Sequence, residues 1–153
     1  MTFETARFGN VDVEDTAVMT MTEGLYGFPH LHRFVVIQHK EGSPYRWLQS
    51  VDDPAIAFLV IDPWEFKPDY ALTVSDTDAE VLNLTEETPK IVYTIVTIPP
   101  GNPQAMTVNL AGPVVVNLED QMGRQIVVDS DEYHTRHSVL EEMQMSSVKA
   151  AAH

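Results

Sequence analysis

The apolar residues of this chain recur at every second position, and Pro, Gly and Asp cut the pattern at short intervals. In RFVVIQH (residues 33–39), Phe34, Val36 and Gln38 alternate with Val35, Ile37 and His39, and YRWLQSV follows. This period sends successive side chains to opposite faces of a β-strand, whereas a helix needs apolar residues three and four apart. AIAFLVID (55–62) is apolar on both faces, as in a strand covered on two sides or closing a barrel. KIVYTIVTI (90–98) is rich in the β-branched and aromatic residues that fit a pleated surface. EGSP, DDP, DPWEFKPDY and PPGNP separate these runs with turn chemistry. The spacing predicts an all-β sandwich or barrel in a single domain, with no internal repeat or linker.

Helical spacing is confined to the C-terminus. In HSVLEEMQM, Ser138 and Glu141 have capping-box spacing, and Val139, Leu140 and Met143 can share one face, so one short helix is expected. Such a helix is marginal alone, and the following SSVKAAAH reads as loose. The expected division is a β domain over residues 1–140 and a helical or disordered tail over 141–153.

A chain of 153 residues with 44% hydrophobic content can bury a core without covalent staples. Cysteine is absent, which removes disulfides, thiolate metal sites and thiol nucleophiles and fits a reducing compartment. MTFETARFGN lacks a basic segment followed by an apolar one, and no run reaches the roughly 18 apolar residues of a membrane span. The chain is therefore expected to be soluble and not exported, with no membrane partner. Nine Lys and Arg against 23 Asp and Glu leave a net charge of −14. Such a surface repels phosphate backbones, which argues against direct nucleic-acid binding, and attracts basic partners. The clusters DVED, SDTDAE, TEET and DSDEY are scattered through expected turns, as on a folded acidic surface.

TVNLAGPVVVN (107–117) interrupts an otherwise strand-like run with Asn, Gly and Pro, all depleted in strands. Met106, Val108 and Leu110 share one face before the interruption, and Val114, Val116 and Leu118 oppose Val115 and Asn117 after it. Pro113 cannot donate to a ladder and Gly112 tolerates unusual backbone angles, so a bend or bulge is expected at 111–113. Asn109 and Asn117 then read first as structural, with amides that satisfy backbone groups the break leaves unpaired. EDQMG (119–123) turns the chain back into RQIVVD.

TVNLAGPVVVN, GRQIVV and YHTRH, together with EGLYGFP, WLQSVDDPAIAFLVIDP and PDY, resemble the FliW family of flagellar assembly factors. The resemblance spans residues 3–140 in the family's order. Where the family shows Asn-Leu-x-Ala-Pro, this chain has Gly112 at the alanine, and the tail after Leu140 carries no family signature. The resemblance implies a small, single-domain, all-β, barrel-like fold in the bacterial cytoplasm, with no enzymatic activity. It also implies two protein partners: newly made flagellin, and the RNA-binding translational repressor CsrA. In the family's picture the factor sequesters CsrA once flagellin has been exported and so relieves repression of flagellin mRNA; the inhibition is allosteric.

Two other classes compete. Gly24, His30 and His32 reproduce the opening of a cupin metal motif, which would make the chain a metal-binding barrel enzyme. The glutamate due near Val36 or Ile37 is absent, no second motif follows, and solvated loop histidines account better for His30, His32, His134 and His137. DTDAE lacks the glycine and terminal glutamate of a calcium loop, and no nucleophile elbow, P-loop or dinucleotide fingerprint is present. No cofactor, metal site or catalytic residue is expected. A small-ligand barrel lined by Trp47, Phe58, Trp64, Phe66 and Tyr70 is the other alternative. Aromatics on strands are usually core, so Trp47 and Phe58 are expected to be buried. Trp64 and Phe66 lie in a proline-bracketed loop, where exposed aromatics make interface anchors unless they fold back over a barrel end. The candidate partner-binding residues are Trp64, Phe66, Tyr70, Phe28, Asn109, Asn117 and Gln125.

Overall fold

The computed structural model describes the backbone of residues 1–151 and the side chains of residues 1–146. The N-terminal hairpin is β1 (Thr2–Thr5) and β2 (Gly9–Asp12). The main sheet contains β3 (Met19–Met21), β4 (Arg33–Ile37), β5 (Tyr45–Ser50), β6 (Ala57–Ile61), β7 (Lys90–Thr97), β8 (Thr107–Val108), β9 (Val114–Asn117), β10 (Met122–Gln125) and β11 (His137–Ser138). Helix α1 (Asp76–Val81) lies between β6 and β7, and α2 (Val139–Ala151) ends the chain.

Seven strands close on themselves in the order β7-β6-β5-β4-β3-β10-β9, with β9 pairing back onto β7. Neighbours are antiparallel except β10 and β3, which run parallel. That contact requires close approach: a Cβ on Gly123 would stand 2.6 Å from the Met21 sulfur. Strands β8 and β11 continue past the barrel as a flap on the far half of β7. The expected all-β, barrel-like fold with a C-terminal helix is the fold observed.

The alternation read from the sequence sorts side chains into separate cores. Met21, Phe34, Leu48, Val60, Val114 and Val116 point inward from strands all around the ring and fill the barrel. Val92 and Val115 point outward into a second cluster with Leu82 and Ile126. Val108 and Leu110, with Met106 at its margin, join Ile61, Phe66, Tyr70, Tyr133 and Val139 in a third cluster beneath the flap and α2. Each such fully buried aliphatic side chain contributes about 1.5–3 kcal/mol.

Three expectations need correction. The segment SDTDAE is not a turn: Ser75 caps α1 by accepting a hydrogen bond from the Asp78 N–H, and Asp76 and Asp78 face the positive end of the helix. The helix is short and half its residues are acidic, so no apolar period announces it. The expected short C-terminal helix is present and runs through Ala151, so residues 146–151, read as loose, are helical, while residues 152–153 of that tail lie outside those described. Ser138 does cap it, accepting from the Glu141 N–H at 3.2 Å. Its inner face is not Val139, Leu140 and Met143, since Leu140 and Met143 are exposed. Val139, Glu142 and Ser146 face inward instead, a helical spacing that a hydrophobic scan misses because two of the three are polar. Trp47 and Phe58 are half-buried only; the Arg7 guanidinium covers the Trp47 ring at 4.1 Å.

Candidate functional site

The interruption in TVNLAGPVVVN is a bulge on the edge of β7. Tyr93 pairs with Val114 and Val96 with Val108, so the two residues 94–95 face the five residues 109–113, an excess of three. Asn109 organises the loop: its backbone N–H donates to Ile95 O at 3.0 Å, and its Oδ1 accepts from the N–H groups of Ala111 and Gly112 at 3.1 and 2.8 Å. Tyr70 donates its hydroxyl to Leu110 O at 2.7 Å, and Gln125 Nε2 donates to Gly112 O at 2.9 Å. Burial pushes the Tyr70 phenol far above its usual range, so it stays a neutral donor.

Gln125 reaches in the other direction too, accepting from the Tyr26 N–H at 2.9 Å. Tyr26 tips a tight turn in which the Phe28 N–H donates to Leu25 O at 2.7 Å, and Gly27 supplies φ +87°. Phe28 folds inward and meets Phe58 edge-on at 5.3 Å, which leaves Tyr26 outside and 62% exposed. Tyr26, Phe58, Ile95, Asn109, Gln125 and Arg136 thereby line one open groove of about 730 Å³ at the barrel end beside the bulge. A concave surface with aromatic and aliphatic walls and a few fixed amides suits a protein segment. Sequence reasoning missed Tyr26 and Arg136; the one available signal for Tyr26 was its place between two glycines in EGLYGFP.

The candidate partner residues separate into surface and interior. Asn109 and Gln125 meet at the groove. Phe28 is half-buried against the barrel core. Phe66 is 2% exposed and is core, not an exposed anchor, because the loop after β6 folds its ring onto Ile61 and Val108. Tyr70 is likewise buried, and Asn117 is 1% exposed, with Nδ2 donating to Leu82 O and Oδ1 accepting from the N–H groups of Glu119 and Asp120. Neither is a surface contact. Trp64 alone of the loop aromatics stays 39% exposed, its indole N–H donating to Tyr70 O at 3.0 Å.

Of the loop histidines, His30, His32 and His134 are exposed as expected, and His137 differs. His137 is buried in β11, where its Nε2 accepts from the His134 N–H at 2.9 Å and its Nδ1 lies 3.1 Å from Glu142 Oε1. This arrangement places the proton of a neutral ring on Nδ1. Glu142 also pairs with Lys67 at 3.0 Å, tying α2 to the loop after β6. Burial lowers the His137 pKa, more than its contact with Glu142 raises it. For Glu142, burial acts upward, but hydrogen bonds from Lys67 and His137 prevail and hold it below the usual carboxylate range. His32 places Nδ1 2.9 Å from Met21 O, and among the described residues no group of three or more His, Cys, Asp or Glu is placed to hold a metal ion. Among the same residues no helix is long and apolar enough to cross a membrane.

A family model described as FliW protein matches residues 2–139. The flagellar assembly factor FliW of Magnetococcus marinus is 39% identical over 152 residues, covering 99% of this chain and 93% of the relative. That of Treponema pallidum is 37% identical over 143 residues, covering 94% of each. A crystal structure of the flagellar assembly factor FliW superposes with a TM-score of 0.83 at 28% identity, covering 91% of this chain and 96% of the other.

Proposed function

Since the chain belongs to the FliW family of flagellar assembly factors, we propose that it is a non-enzymatic partner switch of the bacterial cytoplasm, which holds either flagellin or the translational repressor CsrA. The observation that carries this reading is the family match across residues 2–139. Holding CsrA relieves repression of flagellin mRNA; flagellin displaces CsrA and restores it. Two features of the molecule support the assignment. A net charge of −14 favours encounter with a basic RNA-binding protein and disfavours contact with the RNA itself. The groove beside the bulge offers Tyr26, Phe58 and Ile95 to an apolar segment of the kind an unassembled flagellin presents.

Exchange requires only that the two bound states disfavour one another, by overlap or by a change of shape. The test is to preform the complex with CsrA, titrate monomeric flagellin, and follow CsrA onto labelled flagellin mRNA. Release in proportion to added flagellin is the expected result. A ternary complex that still withholds CsrA from RNA overturns the switch. Tyr26→Ala and Trp64→Ala, both at exposed rings, assign the contacts: a loss of more than tenfold in affinity for one partner, about 1.4 kcal/mol, places that partner on the altered side.

A further inference from the structure

Two extended stretches face each other across a second cleft. One is residues 71–75, between Tyr70 and α1; the other is residues 127–130, beyond β10. Residues 71–75 alternate as a strand does: Leu72 and Val74 pack inward, while Ala71, Thr73 and Ser75 line the cleft. Yet no strand pairs with them, and the N–H groups of Leu72, Thr73 and Val74 have no hydrogen-bond partner among the described residues. Across the cleft, Ile126 and Val128 donate to Pro113 O and Ala111 O at 2.9 Å each. The intervening Val127 N–H therefore points away from the bulge; it too has no partner among the described residues, and the Val127 side chain is 66% exposed.

Open edges of this kind are templates for an added strand. The small side chains of Ala71, Thr73, Ser75 and Ser130 leave the backbone reachable. Charge selects the occupant. Asp78, Asp129 and Glu132 border the cleft; Asp78 is already paired with Arg124 at 3.1 Å, whereas Asp129 and Glu132 have no ion pair among the described residues. We propose that this cleft takes an extended, basic segment of a partner protein, held by backbone pairing to residues 72–74 and to Val127 and by lysine or arginine side chains at Asp129 and Glu132. A second copy of this chain is a poor occupant, because it would bring two surfaces of net −14 together. The inference does not depend on the identity of the partner, so failure of the flagellin and CsrA exchange leaves it standing.

The test uses the full chain, 15N-labelled, with a blocked ten-residue peptide alternating Lys and Val. Two controls have the same length: an alternating Glu and Val peptide, and the Lys peptide N-methylated at every second residue. The Lys peptide is expected to slow amide exchange of Leu72, Thr73 and Val127 at least tenfold, with the Glu and N-methylated peptides at least tenfold weaker in affinity. Asp129→Asn with Glu132→Gln, both exposed, should weaken the Lys peptide at least fivefold and reduce the salt dependence of binding. Absence of binding overturns the proposal, as does binding that the Glu peptide or the N-methylated peptide matches. Protection confined to other amides, or protection of these amides by self-association without peptide, overturns it as well.

Discussion

Asn117 carries a larger structural load than any other polar side chain in the interrupted strand. Its amide serves Leu82 O at 2.7 Å on one side and two turn N–H groups at 2.9 and 3.1 Å on the other. Asn117→Ala leaves the buried Leu82 O unpaired and releases the turn at Glu119 and Asp120, and should lower the unfolding free energy by about 1–3 kcal/mol in urea denaturation. Asn117→Asp keeps the acceptor but sets a carboxylate oxygen against Leu82 O, so it should rescue none of the loss. His137 makes a pH prediction. Its folded pKa lies below the ordinary 6.5, so the unfolded chain binds more protons under that value and stability falls as pH drops from 6.5 through the folded pKa. Lys67, Glu142, His134 and Tyr133 surround the ring and do not reverse the sign. Stability measured from pH 7.5 to 5.0 should show this slope in the native protein, and His137→Gln should flatten it.

At the scale of elements, α2 is docked by one buried apolar residue, Val139, and by polar contacts from Glu142 and Ser146 three and seven residues on, not by an apolar stripe. Glu142 meets Lys67 and His137, and the Ser146 hydroxyl donates to Phe66 O at 2.8 Å. Deleting residues 144–153 removes only the Ser146 contact among these and should cost about 1 kcal/mol. Deleting residues 140–153 also removes Glu142, leaving Lys67 and His137 without their shared carboxylate, and should cost about 3 kcal/mol or more. Equal losses in the two truncations, measured by thermal or urea unfolding, would contradict this account. The loop after β6 shows the same dependence on remote elements. Phe66 and Trp64 lie two residues apart, but Phe66 goes to the core and Trp64 to the rim because β8, Tyr70 and α2 cover one side of the loop only.

Over the whole molecule, charge and topology act separately. A net charge of −14 has no bearing on how the barrel closes, but it governs encounter. The association rate with a basic partner should fall steeply between 20 and 300 mM salt, roughly the range over which the Debye length shrinks from about 20 to 6 Å, while the dissociation rate changes little. A dissociation rate that carries most of the salt dependence would place the charge inside the interface.

Much of this molecule was legible along the chain. Inward Val114 and Val116 against outward Val115, the bend at 111–113 and the structural work of Asn109 follow from strand period and turn chemistry, which act between residues a few positions apart. The closing pairs β7–β9 and β10–β3, the burial of Phe66 and His137, and the unpaired edge at residues 72–74 were decided by tertiary structure. Each depends on which distant segment arrives as a neighbour: Lys67 finds Glu142 across 75 positions, and Tyr26 finds Gln125 across 99. A side chain's own pattern states which way it can point, but whether that side is covered depends on the partner that the rest of the sheet brings there.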